Sequence, residues 1–244
     1  MMFELSILGC NALYPSNQIN TSGYLLTVAG ANILLDAGSG VFAELKKRVK
    51  PESVSAVFIS HLHFDHISDL GVYNYYLEFL AKKGLFFGKI KLIVKKSESA
   101  VYQSIAGLNY FEIVNFDDET PILLDNLKLS FFKTAHPVET YGVTVCYNDK
   151  VFTYASDGNI CDNLERAIKE SDLTVCHAPF KYEERGENKP HPSALEVCKI
   201  AKKYGSKIVI SHLFPDCDNS ALKEECFAEY DNCIFAVQGE KYSI

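Results

Sequence analysis

Short runs of β-type apolar residues alternate along the chain with stretches whose apolar positions recur at helical spacing. Residues 3 to 9, 22 to 28 and 32 to 36 lie between Gly and Asn punctuation and predict three strands. A helix over 41 to 49 is expected after the turn "DAGSG". The run "AVFIS" is of the buried-strand kind, and "HLHFDH" begins where it ends, which puts that segment on a strand-to-helix loop. "SDLGVYNYYLEFLAKKG" then carries helical spacing and a Gly stop. Strands follow near 90 to 94, 111 to 115, 127 to 133, 142 to 147 and 151 to 155, with a short helix near 97 to 105. The remainder reads as helix 160 to 169, strand 172 to 176, helix 192 to 204, strand 207 to 211, helix 219 to 229 and strand 233 to 237. Such interleaving predicts an α/β protein with more than one sheet. No internal repeat or linker is visible, and "KYEERGENKP" (181 to 190) reads as a surface loop.

At 244 residues, with 48% apolar and 23% charged residues, the chain is expected to fold as one domain spanning 1 to 244. Its longest apolar runs stop well short of the roughly 20 residues needed to cross a bilayer. The start "MMFELSILGC" has no basic region or cleavage site, so a cytoplasmic location and no membrane partner are expected. Eight scattered cysteines without a CxxC suggest free, mostly buried thiols. The lack of close pairs, and the apolar neighbours of Cys146 and Cys176, argue against a cysteine zinc site. A net charge of −7 weighs against a protein that coats duplex nucleic acid, although "KKRVK" and "KIKLIVKK" are local basic runs.

Candidate chemistry is concentrated in "HLHFDH", which holds three of the seven histidines and an aspartate. On a loop, His61 and His63 project to one side, while Asp65 and His66 turn to a neighbouring point as the helix begins. One segment can thus serve two metal ions. His136 follows the strand "LSFFKTA", Asp157 follows "VFTYAS" and His212 follows "SKIVIS", as His61 follows "AVFIS". Helix caps and satisfied core histidines are the plain alternative, but so many ligand-type residues at strand ends favour a bound metal.

"HLHFDH" matches the HxHxDH signature of the metallo-β-lactamase superfamily, and the resemblance extends through "LDAGSG", His136, Asp157 in "SDG" and His212 in "SHL", in family order. It implies a four-layer αββα sandwich. It also implies two Zn2+ per chain, with Mn2+ as the other candidate metal. One would be held by His61, His63 and His136, the other by Asp65, His66 and His212, with Asp157 bridging. Mixed imidazole and carboxylate ligation suits zinc and leaves room for an activated water, so the expected reaction is hydrolysis.

The segment "KPHPSALEVCKIAKKYGSKIVISHL" resembles the HST-type motif of the ribonuclease Z branch. That resemblance gives His191 contact with the scissile phosphate and the proton for the leaving oxygen, and gives Ser193 the hydroxyl position; Asp65 and His191 are the expected catalytic residues. The plain reading is that His191-Pro192-Ser193 caps a helix. Two departures matter. His177 stands where the branch usually has glutamate. Only about thirty residues, including the acid-rich loop, replace the basic arm with which tRNA-processing enzymes grip their substrate. The expected function is therefore a phosphodiesterase for a small phosphodiester, a cyclic nucleotide or a nucleic-acid end. Alternatives are tRNA 3′ processing, thioester or lactone hydrolysis, and a non-catalytic metal-binding scaffold. Asn20 and Thr21, with Ser16 and Asn17 on the same loop, are candidate substrate contacts. Tyr73, Tyr75, Tyr76 and Phe79 are candidate stacking groups or plain core. Relatives in this branch suggest a homodimer.

Overall fold

The computed structural model describes residues 3–186 and 188–244, so Glu187 of the acid-rich loop and Met1 and Met2 lie outside the described residues. Two seven-stranded sheets face each other. The first runs in the order β14-β1-β2-β3-β4-β5-β6, built from β1 (Glu4–Gly9), β2 (Gly23–Val28), β3 (Ala31–Leu35), β4 (Ala56–Ile59), β5 (Ile90–Val94), β6 (Phe111–Asn115) and β14 (Lys241–Ser243). The second runs β13-β12-β11-β10-β9-β8-β7, built from β7 (Ile122–Leu124), β8 (Leu127–Lys133), β9 (Tyr141–Tyr147), β10 (Lys150–Ser156), β11 (Leu173–His177), β12 (Lys207–Ser211) and β13 (Cys233–Phe235). In each sheet an antiparallel meander (β1-β2-β3; β8-β9-β10) continues into a parallel half (β3 to β6; β10 to β13). The two halves of the chain thus repeat one topology without a repeat legible in the sequence.

Alternation along the strands builds the layers. Ala56 and Phe58 of β4 join Tyr24, Phe131, Tyr154 and Val209 in the core between the sheets. Val57 and Ile59 face the other way, toward Val41 and Leu45 of α1 (Val41–Leu45) and Leu70, Tyr73 and Leu77 of α3 (Leu70–Lys82). On the far side, Ile208 and Ile210 of β12 pack against α5 (Asp162–Glu170), α6 (Ala194–Tyr204) and α7 (Ser220–Glu229) through Ile168, Val197 and Leu222. Strands buried on both faces explain why these runs are continuously apolar. Between α1 and α3 lies α2 (Phe64–Ile67), and α4 (Ala100–Ala106) follows β5. The result is the αββα sandwich.

Several boundaries differ from the sequence reading. The helix expected over 41 to 49 ends at Leu45, because the chain continues in turns bonded from Lys47 to Glu44 and Arg48 to Leu45 before Pro51. The strand expected to reach 237 stops at Phe235. The short strands β7 and β14 were not foreseen; β14 is only "KYS", and its partner β1 lies at the other end of the chain.

A histidine and aspartate cluster as candidate metal centre

Parallel strands deliver their C-terminal ends to one rim of the sandwich, the usual place for a site in such sheets. His61 follows β4, His136 follows β8, Asp157 follows β10 and His212 follows β12. His66 lies on α2, whose start is N-capped by His63. All seven histidines of the chain meet here: ring centroids are 4.2 Å apart for His61 and His66, 5.3 Å for His61 and His136, 5.6 Å for His136 and His191, 5.3 Å for His191 and His212, and 4.4 Å for the stacked pair His177 and His212. His63 completes the set, 4.7 Å from His61, and is exposed at the rim.

Asp157 sits at the middle. Its Oδ2 lies 3.4 Å from His61 Nε2 and 3.8 Å from His136 Nε2; its Oδ1 lies 3.6 Å from His66 Nε2 and 3.7 Å from His212 Nε2. Asp65 Oδ2 approaches the second pair, 3.7 Å from both His66 and His212 Nε2. Donors placed about 2.0–2.1 Å from a shared tetrahedral ion stand about 3.4 Å from one another. Two such groups form, His61, His63, His136 and Asp157 on one side, and His66, Asp157, His177 and His212 on the other.

Tautomers follow from the partners. His66 Nδ1 donates to Asp36 at 2.6 Å, which leaves a lone pair on Nε2. Ser60 Oγ donates to Asp36, so it accepts from His61 Nδ1. Thr140 Oγ1 donates to Val138 O, so it accepts from His136 Nδ1. In all three residues Nε2 is left bare toward Asp157. The buried Nε2 atoms of His61 and His66 have no hydrogen-bond partner in the protein, a costly arrangement that a divalent ion would satisfy. The donor set therefore fits a metal.

Burial first, and then the neighbouring histidines, hold His61 well below the usual imidazole range. His212 is likewise depressed by burial, against the pull of Asp157. Burial also opposes a charged His66, but Asp157 and Asp36 overcome it and raise this group to about 9 in the metal-free site, where a metal would take the place of the Nε2 proton. Asp157 stays well below the carboxylate range: burial would raise it, but His212, His66 and His61 prevail.

Asp36 was not singled out from the sequence. It is fully buried and accepts four hydrogen bonds, from Ser60 N, Ser60 Oγ, Tyr154 OH and His66 Nδ1. Its backbone is left-handed (φ 57), as are those of Ser156 (φ 56) and His212 (φ 63) at the ends of β10 and β12. Such strain clusters where side chains must be aimed. Gly38 is required two residues on: a Cβ there would meet Asp65 O at 2.1 Å and Thr21 Oγ1 at 2.3 Å.

His177 is anchored at both nitrogens. Nδ1 donates to Asp157 Oδ1 at 2.6 Å, and Nε2 accepts from Tyr24 OH at 2.8 Å, which in turn accepts from Ser211 Oγ. Its second nitrogen is thereby spent on Tyr24, and no hydrogen bond joins it to His191. Its bond to Asp157 fixes the direction of that carboxylate.

His191 lies outside both metal groupings but converges on the same point, with Nε2 3.8 Å from Asp157 Oδ2. Two residues on, Ser193 N-caps α6 in a capping box: its Oγ accepts from Glu196 N and donates to Glu196 Oε2. The Ser193 hydroxyl, expected at the substrate, is fully buried and engaged in this cap. Thr21 Oγ1 is likewise buried and accepts from Ser39 N. Asn20 is tied by its side chain to Leu8 O and by its backbone to Gln238. Ser16 and Asn17 both bond to Asp216. Tyr73 is core, with its hydroxyl on Pro51 O, and Tyr76 bonds to Glu52, whereas Tyr75 and Phe79 are exposed.

Fold and site together define a metal-dependent hydrolase of the metallo-β-lactamase class. The chain belongs to the Anti-Pycsar protein Apyc1 family, whose model matches residues 3–242. It is 27% identical to the probable metallo-hydrolase YhfI of Bacillus subtilis, over 86% of each chain. A crystal structure of YhfI superposes with a TM-score of 0.93, covering all of both chains at 23% identity. A ribonuclease Z of Saccharolobus solfataricus is 29% identical over 62% of this chain and 51% of its own. A diphosphatase of the PhnP family shares the fold, with a TM-score of 0.77 at 17% identity over 100% of this chain and 98% of its own. Among the described residues no helix is long and apolar enough to cross a membrane.

Proposed function

We propose that the protein is a phosphodiesterase acting on a small phosphodiester, a cyclic nucleotide or a nucleic-acid end, with two Zn2+ or Mn2+ ions at the histidine cluster. The observation that carries this reading is the position of His191, beside Asp157 yet belonging to neither metal group. Bound metals would supply Lewis acidity and an activated water. His61, His63 and His136 would hold one ion, and Asp65, His66 and His212 the other, with Asp157 between them. His177 and Asp36 fix the directions of Asp157 and His66. His191 is left free to meet a phosphate oxygen and to give a proton to the leaving alkoxide. Burial, before any charge, keeps His191 down at about 4 in the metal-free site. An anionic phosphate next to Nε2 acts against that depression and favours the protonated form.

The approach to the site limits the size of the substrate. A cavity of about 490 Å³ opens at Ala135, the chain neighbour of His136, and is lined further by Asn159, Ile160, Arg185, Gly186 and Glu196. That volume suits a nucleotide-sized ligand. Arg185 supplies one cation there, while Glu183 and Glu184 on the same loop are exposed and would repel a long polyanion. The ribonuclease Z relatives favour tRNA 3′ processing as the second reading. The proposed active form is a homodimer, which the mass in solution would check.

Replacing His191 with Ala tests the assignment. Metal content should stay at the wild-type value while diester turnover falls by about 10²-fold or more, the usual worth of a general acid. Full activity of this variant on the best diester would sink the phosphate reading.

A further inference from the structure

A second cluster of ligand-type side chains lies far from the histidines. Cys198 on α6, Cys226 on α7 and Cys233 at the start of β13 are 0%, 0% and 2% exposed. Their sulfurs lie within 4.8 Å of one another, and Cys198 Sγ donates to Cys233 Sγ at 2.8 Å. Cys233 pairs with Ile208 near the start of β12, whereas His212 follows that strand's other end. The thiols therefore sit at the opposite end of the second sheet from the catalytic cluster. The sequence spacing concealed them, because their meeting depends on how α6 and α7 cover β12 and β13.

Charge decides what such a site can hold. Three sulfurs with no nitrogen or oxygen donor select a soft, thiophilic centre. A closed zinc site takes four ligands, one more than this group offers. A monovalent soft cation on three thiolates would leave two net negative charges among Val197, Ala201, Ile208, Leu222 and Phe235, an environment that strongly disfavours them. A trivalent centre on three thiolates is neutral.

We propose that Cys198, Cys226 and Cys233 form a three-sulfur binding site for a trivalent metalloid, with arsenite as the probe. Three As–O bonds of As(OH)3 break and three As–S bonds form. Each thiol proton leaves with one hydroxide as water. No electron is transferred, and the adduct carries no charge.

The intact, metal-loaded protein is mixed with arsenite, and a second sample is refolded from urea in its presence, because the native thiols are closed to solvent. Mass spectrometry should show the gain of one arsenic atom less three hydrogens per chain. X-ray absorption at the arsenic edge should show three sulfur neighbours, and the thermal transition should rise. Cys226→Ser should abolish the three-sulfur signature, while Cys217→Ser, at an exposed thiol, should leave it unchanged. The absorption measurement is made on the native chain and does not depend on any variant folding. Failure of both samples to take up arsenic, fewer than three sulfurs around it, or an unaltered spectrum in Cys226→Ser would overturn the assignment.

Discussion

Asp36 and His66 share a 2.6 Å hydrogen bond with both side chains fully buried, and this pair sets the direction in which His66 presents its free nitrogen. The carboxylate also gathers Ser60 and Tyr154, so one residue at the end of β3 holds β4, α2 and β10 in register around the site. Carboxylate partners of this kind fix both the tautomer and the basicity of a ligating imidazole.

Asp36→Asn is therefore expected to weaken metal retention and turnover by about 10- to 100-fold, although Asp36 itself belongs to neither metal group. Metal per chain after dialysis, together with diester kcat/KM, measures both effects. Unchanged retention would mean that His66 is oriented by packing alone.

Gly38→Ala tests the close approach of the loop after β3. The added methyl would meet backbone at Asp65 and the Thr21 hydroxyl, neither of which can yield freely. A loss of about 1–3 kcal/mol in urea unfolding is expected, accompanied by lower metal content as Asp65 is displaced. A fully stable, fully loaded variant would show that this loop shifts without strain.

His177→Ala removes the donor to Asp157 and leaves Tyr24 without its acceptor. A cost of about 1–3 kcal/mol to the metal-free protein follows from leaving a buried polar group unpaired. His177→Gln, which keeps an amide donor, should recover part of it. Equal stability of both variants with wild type would reduce His177 to a packing residue.

The metal-free protein should be acid-labile in a defined window. His191 in the folded state titrates near 4, below its ordinary 6.5, chiefly through burial. The unfolded chain then binds more protons than the native state between these values, so stability falls as pH drops through 6.5 toward 4. His61, His136 and His212, lowered by burial first, act in the same direction. His66 has the opposite sign: its contribution is complete below 6.5 and is lost as pH rises through about 9. Urea unfolding of the apoprotein at about pH 4.5, 7 and 9 should show the maximum at the middle value. Stability at the acid point equal to that at neutrality would contradict the buried, neutral state of these rings.

How much of this was legible in the sequence depends on how local each signal is. His61, His136, Asp157 and His212 each follow an apolar strand directly, so strand grammar found them. Interleaved periodicities pointed to an α/β chain with more than one sheet, and the αββα layering came from the motif's resemblance alone. Asp36 escaped notice because its partners come from three separate elements and only the fold unites them. Ser193 entered as a substrate contact through the motif's resemblance and Thr21 through its polar loop, whereas the bonds that engage their hydroxyls depend on the cap and loop geometry of the fold. The strands β7 and β14 have three residues each, too short for alternation to register.

Turnover of bis(p-nitrophenyl) phosphate, measured against a thioester and a lactone with the metal-loaded protein and with Asp65→Ala in parallel, tests the proposed chemistry most directly. Hydrolysis of the diester alone, lost in the variant and on chelation, is the expected result. Preference for the thioester or lactone would contradict the phosphodiesterase assignment and return His191 to a helix-cap neighbour, and inactivity on all three with full metal content would leave a metal-binding scaffold.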